Sequence, residues 1–173
     1  TLASRGRDHH ETARAAGYLA SHLRQQGNFA AAESLYRESI AIDRKVLGPG
    51  HPFVAQTMNN LGILLEEQGR YADAQAIDRE SLEILLTSLG EDHPLVPTAM
   101  SNLASALQSD GRLDEALPLR IKSLELSRKL RGPDNEEVAT SLNNLASLYR
   151  LLRRFDDPAH LPGVQFLAFF QRQ

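Results

Sequence analysis

Cysteine is absent from the 173 residues, which excludes disulfides and any thiolate-held metal. That fits a reducing compartment, and a cytoplasmic location is expected. Tryptophan is missing as well. There is no basic excess: the formal net charge is −3, which argues against general nucleic-acid binding. No apolar run approaches membrane-spanning length, and the opening "TLASRGRDHH" lacks a signal-peptide core, so no membrane contact is expected. No glycine loop suited to a phosphate occurs, and no serine is singled out beside a histidine and an acid. "HHE" at residues 9 to 11 begins like a helical zinc motif, but Arg14 stands where the second histidine is needed. Catalytic residues, metal and cofactor are all therefore expected to be none. What the chain does have is 42% hydrophobic residues, enough for one substantial core or for several small units stacked side by side.

The second option is favoured by an internal repeat. Val54, Val96 and Val138 stand at equal steps of 42 residues, as do Gly27, Gly69 and Gly111, and again Gly48, Gly90 and Gly132. Without gaps, "VAQTMNNLGILLEEQGRYADA" at 54–74 aligns with "VPTAMSNLASALQSDGRLDEA" at 96–116, with "VATSLNNLASLYRLLRRFDDP" from 138 and with "TARAAGYLASHLRQQGNFAAA" from 12. Each unit reads as two helices. Met58, Leu61, Gly62 and Leu65 share one face of the first, built around a small residue that is Ala20, Gly62, Ala104 and Ala146 in successive units. The turn glycines Gly69 and Gly111 suit a left-handed helix cap. The second helix is expected from about Ala72 to Leu89, burying Ala74, Ile77, Leu82 and Leu85. No Ser/Gly-rich linker interrupts the array, so one domain is expected.

"LGPGHP" and "LGEDHP" fall where one unit stops and the next begins. Glycine ends a helix and proline can start one. Successive histidines should stack roughly 10 Å or more apart, judged from helix-packing distances. A shared zinc would need both at about 2 Å. His51 and His93 are therefore expected to mark corners by bonding loop backbone, with Asn135 in their place in the third unit. Gly6 and His9 lie one repeat before Gly48 and His51. Residues 1–11 are expected to be the tail of a preceding repeat or a linker, with the natural protein continuing upstream and an apolar face exposed at this end.

The residues Met58-x2-Leu61-Gly62-x2-Leu65, followed by Gly69 and Ala74, resemble the tetratricopeptide pattern, whose unit is about 34 residues. The longer unit, with "NNLA" and "LG-x-x-HP", resembles the kinesin light chain type. This resemblance implies an all-α, right-handed α-α superhelix, a solenoid of helical hairpins. Its repeats would run 12–53, 54–95 and 96–137, with a degenerate 138–157, and residues 158–173 would form a C-terminal capping or docking tail. With Pro158, Pro162 and Gly163 there, the fourth unit's second helix is expected to be shortened or absent, and "VQFLAFFQRQ" follows. The tail is expected either to cap the open face or to enter a groove.

By the same resemblance the first helices line a concave face carrying a ladder of Asn60, Asn102 and Asn144, with Tyr18 in the first unit. Beside it run Asn59, Ser101 and Asn143, then Ser21, Ile63, Ser105 and Ser147. Amides that donate and accept can grip the main chain of an extended peptide, or they can bond the adjacent helix and fix stacking. Both readings stay open. Arg14, Arg24 and Arg150 put basic charge near the ends of this face, which favours a partner segment with acidic residues. The function expected is protein or peptide binding on the concave face. The alternative is an architectural module forming homo-oligomers through its terminal repeats and Phe-rich tail. The register of Tyr36 holds Asp78 in unit two and Arg120 in unit three: either these pair across the repeat interface, or both reach solvent.

Overall fold

The computed structural model describes residues 9–152. The expected tail of a preceding repeat over residues 1–8, the end of the degenerate fourth unit beyond residue 152 and the expected capping or docking tail at 158–173 lie outside them. Seven helices fill this span and no strand occurs among the described residues: α1 (His10–Gln25), α2 (Phe29–Leu47), α3 (Pro52–Glu67), α4 (Tyr71–Leu89), α5 (Leu95–Ser109), α6 (Leu113–Arg131) and α7 (Glu136–Leu152). Helices α1/α2, α3/α4 and α5/α6 pack as hairpins, and each hairpin packs on the next through α2/α3, α4/α5 and α6/α7. The protein is an all-helical repeat solenoid.

The hairpin turn is built the same way each time. Gly27, Gly69 and Gly111 take φ between 73° and 79°, a region open to glycine at no steric cost. At the middle turn the Gly69 amide donates to the Glu66 carbonyl and the Arg70 amide to that of Leu65, both at 2.9 Å. This pairing satisfies the last carbonyls of α3. The corners between repeats follow a second rule. His51 Nδ1 accepts from the Phe53 amide and His93 Nδ1 from the Leu95 amide, each at 3.3 Å. Asn135 Oδ1 accepts from the Glu137 amide at 2.9 Å. Histidine and asparagine thus do the same work, satisfying an amide left free at a helix start.

The core is a series of clusters, not one centre. Ala20, Tyr36, Met58, Leu61 and Leu65 join the first two hairpins. Leu85, Val96, Met100, Leu103 and Leu107 join the second and third. Leu124, Val138, Leu145 and Tyr149 seat α7 on α6. Each fully buried leucine contributes about 1.5–3 kcal/mol relative to an exposed one. Of the residues expected inside α4, Ala74, Leu82 and Leu85 are buried, whereas Ile77 is half-buried and lines a groove on the outer side, between α2 and α4.

A ladder of buried hydroxyls ties each hairpin together. Ser39 donates to the Ala13 carbonyl at 2.8 Å, Ser81 to that of Ala55 at 2.9 Å, and Ser123 to that of Pro97 at 2.7 Å. The three serines stand at the 42-residue step. Between repeats the ties are charged and exposed: Arg70 reaches Glu33 at 2.7 Å, and Lys129 reaches Asp92 at 2.5 Å. Pairs in such settings are each worth about 0–1 kcal/mol, so the apolar seam carries the stacking.

Candidate functional site

The first helices also approach one another, α1 with α3 and α3 with α5, with no comparable approach between α2 and α4 or between α4 and α6. They therefore form the inner side of the curve. Two cavities open among them. One, of about 330 Å³, lies between α1 and α3 and is lined by Arg14, Tyr18 and Asn60 together with His10 and Phe53. The other, of about 370 Å³, lies between α5 and α7 and is lined by Asn102 and Asn144 with Ser101, Ser141 and Thr140.

Asn60, Asn102 and Asn144 make no side-chain hydrogen bond to any of the described residues. Their neighbour Asn59 behaves differently. Its Oδ1 accepts from Ser81 at 2.9 Å and the residue is buried, so it belongs to the α3/α4 packing and does not open onto the groove. Adjacent positions on one helix thus divide stacking from availability. Ser105 donates to Glu66 at 2.9 Å, and Arg24 pairs with Glu67 at 2.5 Å. Ile63 and Ser147 are half-buried, Asn143 and Arg150 are exposed, and none of these four lines either cavity. Arg14 lines the first cavity while bonded to Glu11 at 2.7 Å.

Sequence reasoning found the register beneath the groove but missed its contacts. Tyr36, Asp78 and Arg120 share one register on the second helices and all point inward. The Tyr36 hydroxyl bonds Ser21 at 2.9 Å. Arg120 Nη1 donates to Ser101 Oγ at 2.6 Å. Asp78 faces Gly62. Neither of the two relations expected for the charged pair holds. Asp78 is 1% exposed and Arg120 6%, and no ion pair joins them. Glu66 lies near both: burial first and then Glu66 push the Asp78 carboxyl up to about 7, whereas burial holds Arg120 below its ordinary value with Glu66 opposing. The 42-residue step located this row, but it could not show which group of the facing helix each side chain meets. The first cavity holds another missed pair. His10 Nδ1 bonds the buried Asp43 carboxylate at 2.9 Å, and its ring stacks on Phe53 with centroids 4.6 Å apart.

Among the described residues no group of three acids or histidines could hold a metal ion, and no helix is long and apolar enough to cross a membrane.

Stacked helical hairpins at a constant step define a helical-repeat protein. More particularly, the chain belongs to the tetratricopeptide repeat family, whose profile matches residues 11–87, 67–116 and 95–157. Repeats of this family are protein-protein interaction modules and generally act as non-enzymatic scaffolds. The fold is similar to that of the kinesin light chain nearly identical, TPR-like repeats of Podosopora anserina, with a TM-score of 0.77 and 23% identity over 84% of this chain and 69% of that one. It is similar too to BtubC (BKLC) from P. vanneervenii, with a TM-score of 0.76 and 20% identity over 83% of this chain and 57% of that one. The N-terminal domain of stress-induced protein-1 (STI-1) from C. elegans aligns with a TM-score of 0.59 at 20% identity, over 79% of this chain and 96% of that one. The search of curated proteins returned no match.

Proposed function

We propose that this chain holds an extended peptide or partner segment along the inner face, with Asn60, Asn102 and Asn144 bonding its main chain. The observation that carries this is the contrast between neighbours: Asn59 is consumed by Ser81, whereas the three ladder amides line cavities with no side-chain partner among the described residues. An amide that neither packs nor pairs inside the protein is free to serve a ligand. Tyr18, Ser105, Ile63, Asn143, Ser147 and the arginines Arg14, Arg24 and Arg150 complete the proposed surface, and Asn59 supports it from behind. The repeat units run 12–53, 54–95 and 96–137, with the degenerate 138–157 after them, and the protein works in the cytoplasm.

An acidic group on the ligand suits the cavity between α5 and α7. Arg120 lies beneath it, buried, and its guanidinium donates to Ser101, leaving the Ser101 hydroxyl proton to point at an acceptor. Selection of a phage-displayed peptide library on the protein tests the reading. Peptides selected on the wild type should lose binding to Asn102→Ala; peptides that bind both equally would overturn it.

A second reading, assembly through the end faces, has one observation in its favour. Leu19 is 51% exposed, although its counterparts Leu61, Leu103 and Leu145 are buried at the same register. Light scattering on the full chain, on Leu19→Ser and on a chain lacking residues 163–173 separates the two. Loss of oligomers in either variant supports assembly, and a monomer throughout contradicts it.

A further inference from the structure

The register shared by Tyr36, Asp78 and Arg120 reaches a first-helix partner in two hairpins and none in one, although Arg120 Nε is also buried without a partner among the described residues. Tyr36 and Arg120 each reach a serine hydroxyl on the first helix. Asp78 meets Gly62 instead, where a Cβ would lie 2.1 Å from Asp78 Oδ1. The carboxyl thus fills the space of a missing side chain and lies against helix backbone, whose amides are already committed to the helix. Oδ1 is buried and has no hydrogen-bond partner among the described residues.

Among the described residues, the groups around it do not supply a counter-charge. From α3 comes Glu66, a like charge, whose Oε1 accepts from the uncharged Ser105 and Ser109 of α5. From α6, Arg120 acts on Glu66 and bonds Ser101. On α4 itself Arg79 is exposed, and Glu80 is paired with Arg44 of α2 at 2.6 Å. Ionising Asp78 in place would leave a buried carboxylate without a partner, a state proteins avoid by neutralising the group or by letting water in.

We propose that Asp78 makes the α3/α4 hairpin a pH-responsive joint, closed while the carboxyl is protonated and loosened when it ionises, and that the joint regulates the inner face. Beside it, one turn along each helix, Ser81 clasps both the Ala55 carbonyl and Asn59. Separation of α4 from α3 would strain that clasp and shift Asn60, the next residue along. Protonated, the carboxyl is a neutral filler of the Gly62 gap. Ionised, it draws water between the two helices.

The sign follows from linkage. The folded value, about 7, is raised above the value of about 3.9 for a free aspartate. The stabilising contribution is therefore complete below about pH 4, declines as pH rises through the neutral range, and is gone above the folded value.

The regulatory half of this inference rests on the peptide-binding reading; the joint itself does not. Urea midpoints from pH 5 to 9 on the free protein and on Asp78→Asn, with the Asp78 carboxyl followed by carbon NMR, test the joint. The expected result is a wild-type midpoint that falls from pH 5 to about pH 7 and levels off above it, a flat one for Asp78→Asn, and a carboxyl that titrates near neutrality. A carboxyl titrating in the ordinary aspartate range overturns the joint even if Asp78→Asn fails to fold, as does an Asp78→Asn curve that parallels the wild type. Affinity for a library-selected peptide, measured at pH 5.5 and pH 8.5, then tests regulation. A change of about threefold or more that Asp78→Asn abolishes supports it, and equal affinity at both pH values overturns the regulatory half while leaving the peptide-binding reading intact.

Discussion

Asp78 and Gly62 occupy one site between them: Oδ1 of the first stands 2.1 Å from where a Cβ of the second would be. Alanine normally gains about 1 kcal/mol over glycine inside a helix, so Gly62→Ala would stabilise an unobstructed position. Here the added methyl must displace a buried carboxyl, an overpacking that costs about 1–3 kcal/mol. Gly62→Ala should therefore lower stability in urea unfolding, and Gly62→Ala combined with Asp78→Ala should recover much of the loss. Additive effects would show that the two sites are independent.

Ser81 holds the hairpin and Asn59 together. The single Ser81 hydroxyl proton is shared between the Ala55 carbonyl and Asn59 Oδ1; Ser81→Ala removes this shared bond and leaves the buried Asn59 carbonyl unpaired, at a cost of about 1–3 kcal/mol. Ser39→Ala and Ser123→Ala, which lose one backbone bond each, should cost about 0.5–1.5 kcal/mol. Denaturant midpoints of the three variants measure this order directly.

The corner histidines are helix caps, and capping alone should account for them. His51→Ala and His93→Ala are expected to lose about 0.5–2 kcal/mol each. His93→Asn should retain stability near the wild type, because Asn135 already makes the equivalent bond at the next corner. Zinc titration of the wild type should leave its Tm unchanged. A metal-dependent rise in Tm abolished by His51→Ala would contradict the cap.

Arg120 is a buried cation with no carboxylate in ion-pair range among the described residues. Replacing such a group by an apolar one of similar volume is often neutral or stabilising by about 1–4 kcal/mol. Arg120→Met should accordingly fold at least as well as the wild type while binding an acidic peptide more weakly. Equal affinity for acidic and amidated versions of one selected peptide, in both proteins, would remove Arg120 from the groove's chemistry.

Much of this architecture was legible because the repeat is strict. The 42-residue step alone located the turns, the corners and the apolar seam, since the same backbone problem recurs and draws the same residues. What it could not divide was Asn59 from Asn60. Both are amides on one helix, and only the position of Ser81 on the facing helix decides which is consumed. The fate of Asp78 and Arg120 was hidden for a similar reason. Charge at one register suggested pairing or exposure, but each side chain points along its own hairpin, and the partner that matters for Asp78 is an absence, the side chain that Gly62 lacks. The serine ladder was visible at the same step, yet a small hydroxyl in a helix carries little meaning until the carbonyl opposite is known.

The account rests on three amides being held open for a ligand, and affinity for a library-selected peptide across single alanine variants tests it most directly. Each ladder amide can make up to two bonds to a peptide main chain. Asn60→Ala, Asn102→Ala and Asn144→Ala should therefore each weaken binding by roughly 2- to 150-fold, for one to two bonds at about 0.5–1.5 kcal/mol each. Asn143→Ala, beside the ladder but outside both cavities, should bind nearly as the wild type does. Undiminished affinity in all three ladder variants, or loss confined to substitutions in the outer groove at Ile77 and Arg44, would contradict it.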